Sequence, residues 1–189
     1  MTREEQKEQR RKQILLTGLE LFVKKGYAAT QIIDIASAAD ISTGLLFHYF
    51  ESKEKLYNEL VRMGLQGTQS VSIGQETEPI AFFTDFLKAL FQYAKEQSWT
   101  AKMFVLIQQA QHKEGTPPEA YALAKEVNTI EYTVDIIRKG QENGTIKAGD
   151  PAALSMAFWF CVQGIMAQYA INSSVPLPEP EWIVDIIRK

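Results

Sequence analysis

The sequence predicts an all-α protein, and three observations predict it. Apolar residues recur at three- and four-residue spacings along most of the 189 residues, which is the period of one helix face. No stretch alternates apolar and polar residues as a half-buried strand does. Between the periodic stretches stand helix-opening and helix-closing residues, such as Asp150-Pro151 and Lys24-Lys25-Gly26.

In chain order, the first helix carries Ile14, Leu15, Gly18, Leu19 and Phe22 on one face. Lys24 and Lys25 complement its carboxyl end, and Gly26 supplies a left-handed cap. Thr30 is the expected N-cap of a short second helix with Ile32, Ile35 and Ala36. Ala39-Asp40-Ile41 breaks the pattern, Ser42 caps a third helix, and Ser52 caps a fourth through Leu56, Leu60 and Val61. Residues 66 to 78 are polar and read as a seam.

Pro79 opens the next helix, whose apolar face is Phe83, Phe86, Leu87, Leu90 and Phe91. Another runs from about Trp99 to Gln111 and is ended by Gly115-Thr116-Pro117-Pro118. One long helix is then expected through Ala120, Leu123, Val127, Ile130, Val134 and Ile137, stopping before Asn143-Gly144. Asp150-Pro151 opens an apolar helix, and a short one begins near Pro180. The hexapeptide VDIIRK occurs twice, at 134–139 and 184–189, too short a unit to make a repeat architecture.

A 46% hydrophobic content supplies a core without metal or disulfide staples. Cys161 is the single cysteine, so no intramolecular disulfide forms and a reducing, cytoplasmic setting is expected. The charged start MTREEQKEQRRKQ does not read as a secretory signal. Residues 152 to 171 match a bilayer in length but contain Ser155, Gln163, Gly164 and Gln168, so a buried helix and no membrane partner are expected. The net charge of −3 is uneven: residues 1–65 hold ten Lys/Arg against nine Asp/Glu, the remainder ten against fourteen. Lys7, Arg10, Arg11 and Lys12 form a basic cluster at the front, either a backbone-contacting arm or a solvated helix face.

The informative segment is Thr30 to Tyr57, TQIIDIASAADISTGLLFHYFESKEKLY. A helix-turn-helix needs a small residue where its helices approach, a turn that accepts unusual backbone, and apolar pins for the second helix. Ala36, Asp40, and Ile41 with Leu46 meet these needs in register. The second helix then presents Thr43, Gly44, Phe47, His48 and Tyr49 to a major groove about 12 Å wide. Gly44 lets backbone approach the duplex, and the helix start faces phosphates. Thr30 and Tyr49 hydroxyls and the Lys53 ammonium suit phosphate oxygens, while His48 and Thr43 are candidates for base edges or thymine methyls.

Gly26-Tyr27, Thr30, Ile35-Ala36, Ser42-Thr43-Gly44, Phe47-His48-Tyr49-Phe50 and Ser52-Lys53-Glu54 with Leu56 together resemble the N-terminal signature of TetR-type transcriptional regulators. Gln31 stands where a second Thr is common, Asp40 where Gly is common, and Phe47 where Tyr is common; Phe47 lacks a hydroxyl that often meets a phosphate in that family. The resemblance implies a DNA-binding domain over residues 8–68 with its helix-turn-helix at 31–50, followed by a helical effector-binding and dimerisation domain over 75–189. It implies DNA contacts from Thr30, Gln31, Ser42, Thr43, Gly44, Phe47, His48, Tyr49 and Lys53. It further implies a homodimeric repressor on a near-palindromic double-stranded operator, paired through helices at about 121–142 and 152–171 and released by a small molecule.

Phe86, Tyr93, Trp99, Met103, Phe104, Trp159 and Met166 are candidates to line a pocket for an apolar or aromatic effector; ordinary core packing is the plainer account of each. No catalytic residues, metal or cofactor are expected, since two histidines and one cysteine lack ligand spacing. An enzyme would instead need acids such as Glu96, Glu126, Glu131 or Asp135 to converge inside the apolar half. An adaptor that kept the fold without binding DNA is the third reading.

Overall fold

The computed structural model describes residues 2–70 and 78–189. Of the seam expected at 66–78, residues 71–77 lie outside the described residues. Helices account for every regular element described: α1 (Arg3–Ala29), α2 (Ile32–Ala38), α3 (Thr43–Tyr49), α4 (Lys53–Ser70), α5 (Pro79–Glu96), α6 (Trp99–Ala110), α7 (Pro118–Lys125), α8 (Thr129–Glu142), α9 (Pro151–Ile171) and α10 (Pro180–Val184). They form two compact units, one of Met1–Gln66 with Lys102–Glu126, the other of Gly67–Ala101 with Val127–Lys189. The chain thus leaves the first unit and returns to it before completing the second.

In the first unit, Thr2 and Glu5 cap the start of α1 reciprocally. Gly26, at φ 79°, breaks the regular helix where the sequence placed a left-handed cap. All five residues expected on the inner face of α1 are buried. At Gly18 a Cβ would lie 2.7 Å from Leu56 Cδ2, so the missing side chain lets α1 and α4 approach closely. Phe22, Leu46, Leu56 and Leu60 are wholly buried in this unit, each contributing about 1.5–3 kcal/mol through removal from water. Phe22, Tyr27 and Tyr57 stack edge-on or tilted at 4.9–5.9 Å. Burial, aided by the nearby Tyr27, pushes the Tyr57 hydroxyl up to about 12.

The later part of this unit is fastened to α1 and α4. Gly64 on α4 would place a Cβ 2.8–2.9 Å from Ile107 and Met103. Gln109 donates to the Val23 carbonyl at 3.2 Å, and Lys102 pairs with Glu20 at 3.2 Å. On α7, Glu119 accepts from Asn58 at 2.6 Å and pairs with Arg62 and, at 3.7 Å, with Lys55. One carboxylate therefore draws together three residues of a single face of α4.

The second unit is built on α9. Ser155, Phe158, Trp159, Val162 and Met166 are buried at helical spacing, and Phe158 meets Phe83 of α5 at 4.7 Å. A hydroxyl network joins α8 to α9: Thr133 Oγ1 lies 2.7 Å from Ser155 Oγ, Trp159 Nε1 donates to Thr133 Oγ1 at 3.0 Å, and the Ile130 carbonyl accepts from Ser155 at 2.9 Å. These buried groups are satisfied, as a dry interior requires. At the start of α9, the Asp150 carboxylate accepts from the Ala153 amide at 2.9 Å and Pro151 occupies the first turn. By length and hydropathy α9 alone among the described helices is suited to crossing a membrane, but the polar network on its inner face fits a helix packed on protein.

One expected element is corrected. The single helix at about 121–142 is two helices, α7 and α8, which belong to different units. Asn128 makes the break, accepting from the Glu131 amide at 3.1 Å while donating to the Glu131 carboxylate at 2.8 Å. Asn128 is thus a side-chain N-cap held in place by the residue it caps, and it overrides an apolar periodicity that runs on through Val127 and Ile130. Lys147 and Lys189 amides pair the 145–147 segment with the chain end through Ile187 and Thr145 carbonyls; no other strand-like pairing occurs among the described residues.

Candidate nucleic-acid interface

The turn before α3 is set by Asp40, the one described non-glycine residue at positive φ, 54°. Its short polar side chain tolerates that region better than a bulky one. The Ile41 amide donates to the Ala36 carbonyl at 3.0 Å, closing the turn over the buried Ala36. Ser42 then caps α3, its hydroxyl accepting from the Leu45 amide at 3.1 Å. Ser52 repeats the device at the start of α4 with the Lys55 amide.

α3 is held by very little of itself. Leu46 is its one buried residue, and Ala36 and Ala39 are buried beside the turn. Ser42, Thr43, Gly44, Leu45, Phe47 and His48 are exposed, and Tyr49 is half-buried with its ring 5.6 Å from that of His48. The helix is fixed from outside. Gln13 of α1 donates to the Ala39 carbonyl at 3.2 Å. Arg11 lies 5.1 Å over the Phe50 ring and pairs with Glu59 at 2.5 Å. Arg11 is therefore a brace and no part of an arm; Lys7, Arg10 and Lys12 remain exposed.

Two expected contacts are corrected. Thr30 is completely buried, and its hydroxyl donates inward to the Gly26 and Leu21 carbonyls at 2.7 and 3.3 Å. It cannot present that hydroxyl to a phosphate, nor does it cap α2, where Gln31 stands instead. Lys53 is no freely moving charge. Its ammonium donates to the Tyr27 and Thr30 carbonyls at 2.9 and 2.8 Å and sits 4.1 Å from the Tyr27 ring centroid. Burial lowers its pKa from the ordinary lysine value. A lysine has three donors, so two fasten the end of α1 and one stays open. Sequence reasoning also missed two exposed apolar residues here, Leu45 at 40% and Ile33 at 61% exposure; helical spacing around the pinned Leu46 was the signal that Leu45 faces out.

This braced, outward-facing short helix lies within a segment, residues 14–60, that matches the model for "Bacterial regulatory proteins, tetR family". That segment is a TetR-family DNA-binding domain. The chain's relatives include the HTH-type transcriptional repressor KstR2 of Rhodococcus jostii, 29% identical over 154 residues that span 79% of this chain and 74% of that one. Among solved structures, a TetR-family regulator from Agrobacterium tumefaciens shares the fold at a TM-score of 0.70, with 15% identity over 96% of this chain and 99% of that one. AibR, solved in complex with isovaleryl coenzyme A and operator DNA, does so at 0.67, with 17% identity over 93% and 94%. The chain is a DNA-binding transcriptional regulator and not an enzyme.

The acids that an enzyme would need do not converge. Glu96, Glu126, Glu131 and Asp135 are all exposed, with Glu131 spent on its cap and Asp135 paired to Arg138 at 2.8 Å. The effector candidates divide. Phe86 and Trp159 meet at 5.1 Å in the second unit, where Met166 is buried and Tyr93 is 49% exposed. Trp99 is half-buried in that unit, whereas Met103 and Phe104 belong to the first. Met103 is buried against Gly64.

Proposed function

We propose that this TetR-family protein is a homodimeric repressor whose paired α3 helices read a near-palindromic operator, and which a small apolar or aromatic molecule bound among its C-terminal helices releases. The observation that carries the reading is α3 itself: one residue turned inward, the rest turned out, and bracing supplied from α1. Residues 8–68 serve as the DNA-binding domain and 75–189 as the effector and dimerisation domain. Gln31, Ser42, Thr43, Gly44, Phe47, His48 and Tyr49 make the duplex contacts, joined by the open donor of Lys53. Phe86 and Trp159 are the aromatic pair offered to the effector, and the cytoplasm is where the protein works.

Dimerisation is supported by α8 and α9. Tyr132, Met156, Phe160 and Ile171 expose 48–80% of their surface, and Gly164 of α9 has open space where a side chain would stand. A helix apolar on every side calls for cover on its outer face, and a second copy supplies it through a self-complementary surface. Two recognition helices so joined would meet half-sites about 34–36 Å apart.

Selection of bound duplexes from a random library, using the full chain, tests the reading. The expected result is a palindromic consensus with binding that weakens steeply as salt rises, because phosphate contacts release counterions. Tyr49→Phe should weaken every duplex alike, and His48→Ala should relax preference at one position in each half-site. Recovery of no consensus, with only non-specific binding, would refute it.

A further inference from the structure

The chemistry of α3 restricts what it can read. It carries no Arg, Lys, Asn or Gln, the side chains that make bidentate hydrogen bonds to guanine and adenine in the major groove. What remains is Thr43 and His48 for single hydrogen bonds, with an unusual share of apolar surface. At about 100° per residue around the helix axis, Gly44 and His48 lie opposite the buried Leu46 and form the outermost ridge. Leu45 and Phe47 fall on the two flanks of that ridge, 40% and 49% exposed. Gly44 has no side chain to hold the ridge away from the base edges, and a Cβ there would meet nothing nearer than Ser42 Oγ at 3.9 Å.

A leucine in a hydrated groove gains where it covers apolar surface, and the only apolar group a base pair offers there is the C5-methyl of thymine. We infer that Leu45 reads a thymine methyl group in each half-site, so that recognition by α3 depends on methyl contacts more than on hydrogen-bonded base edges. The inference rests on the reading of α3 as the groove-entering helix and deepens it by naming the group in the DNA that is read. Leu45 contacts a base by shape and apolarity alone, whereas His48 on the ridge supplies direction through a hydrogen bond.

Replacing thymine by deoxyuridine removes the methyl and leaves pairing and the O4 acceptor unchanged. The test takes the duplex selected by the full-length dimer and substitutes each thymine of the half-sites in turn, measuring affinity at fixed salt. One substitution per half-site should weaken binding about four-fold, the worth of one buried methyl-sized group. Leu45→Ala should bind the thymine duplex correspondingly less well and lose the distinction between thymine and uracil there, while circular dichroism and oligomeric state stay unchanged. Indifference of the unmodified protein to every substitution overturns the inference. So does a uracil penalty that survives in Leu45→Ala and vanishes in Phe47→Ala, which would assign the contact to the other flank. Failure to bind any specific duplex would instead remove the reading of α3 on which the inference rests.

Discussion

α3 and α9 both turn apolar side chains to solvent, yet they do so in different physical settings. α3 is seven residues long and owes its position to caps at Ser42 and Ser52, a left-handed Asp40, and α1 residues that reach across to it. Its exposed Leu45 and Phe47 are separated by a buried residue and bordered by Gly44 and His48. α9 has 21 residues, one face locked to its neighbours by Ser155, Phe158, Trp159, Val162 and Met166, and the other open along Met156, Phe160 and Ile171. Broken apolar surface among polar groups suits a wet, polar partner such as a DNA groove. Continuous apolar surface along a long helix suits another protein face. Exposed leucines and phenylalanines thus carry little meaning singly, and their continuity decides the partner.

That contrast can be attacked from both sides. Leu46→Ala removes the only inward anchor of α3 and should cost about 3 kcal/mol of stability in the first unit. Denaturant unfolding should record that loss and operator binding should disappear, while sedimentation still finds a dimer. Phe160→Asp places a charge on the open face of α9, where the folded subunit has nothing to lose by it. The dimer should weaken about a hundredfold, on the scale of a central interface residue, giving monomers by light scattering that keep their helicity. If either substitution produced both losses at once, the two surfaces would not be separable.

Tyr57 gives a pH-dependent version of the same separation. Its hydroxyl titrates near 10 in an unfolded chain and at about 12 here. The neutral form is the one favoured by folding, so the associated stability is fully present below pH 10 and is lost as pH rises toward 12. The loss is about 3 kcal/mol, and Tyr57→Phe should flatten it in denaturation curves measured at successive pH values. Thr133→Val gives the smallest effect. It strands the Trp159 N–H and breaks the link to Ser155, costing about 1–2 kcal/mol, and should lower thermal stability with no change in DNA preference.

Much of α3's setting was legible because its determinants are local. Ser42, Ser52 and Asp150 cap as their types demand, Pro79 and Pro151 open helices, and Asp40 takes the one backbone region its position requires. Thr30 and Lys53 were legible as members of the motif but not in their roles. Whether a hydroxyl or an ammonium points at a phosphate or at its own backbone depends on carbonyls of Leu21, Gly26 and Tyr27, which only the folded chain brings near. The same holds for Arg11, whose charge suggested an arm while its partners Phe50 and Glu59 lie far along the sequence. The Glu119 contacts with Lys55, Asn58 and Arg62 left no trace in either segment.

The repeated VDIIRK separates the two kinds of information within one molecule. Both copies form the ion pair three residues apart, Asp135 with Arg138 at 2.8 Å and Asp185 with Arg188 at 3.0 Å, and both bury their second isoleucine, Ile137 and Ile187. The ion pair follows from the six residues alone, because spacing and side-chain type set it. The backbone does not follow. Residues 134–139 stay helical within α8, whereas the second copy leaves the helix after Val184 and turns to pair with residues 145–147. A backbone carbonyl must find a donor wherever one is offered. For Ile187 that donor is the Lys147 amide, 3.0 Å away and forty residues back in the chain, so only the assembled fold could choose it.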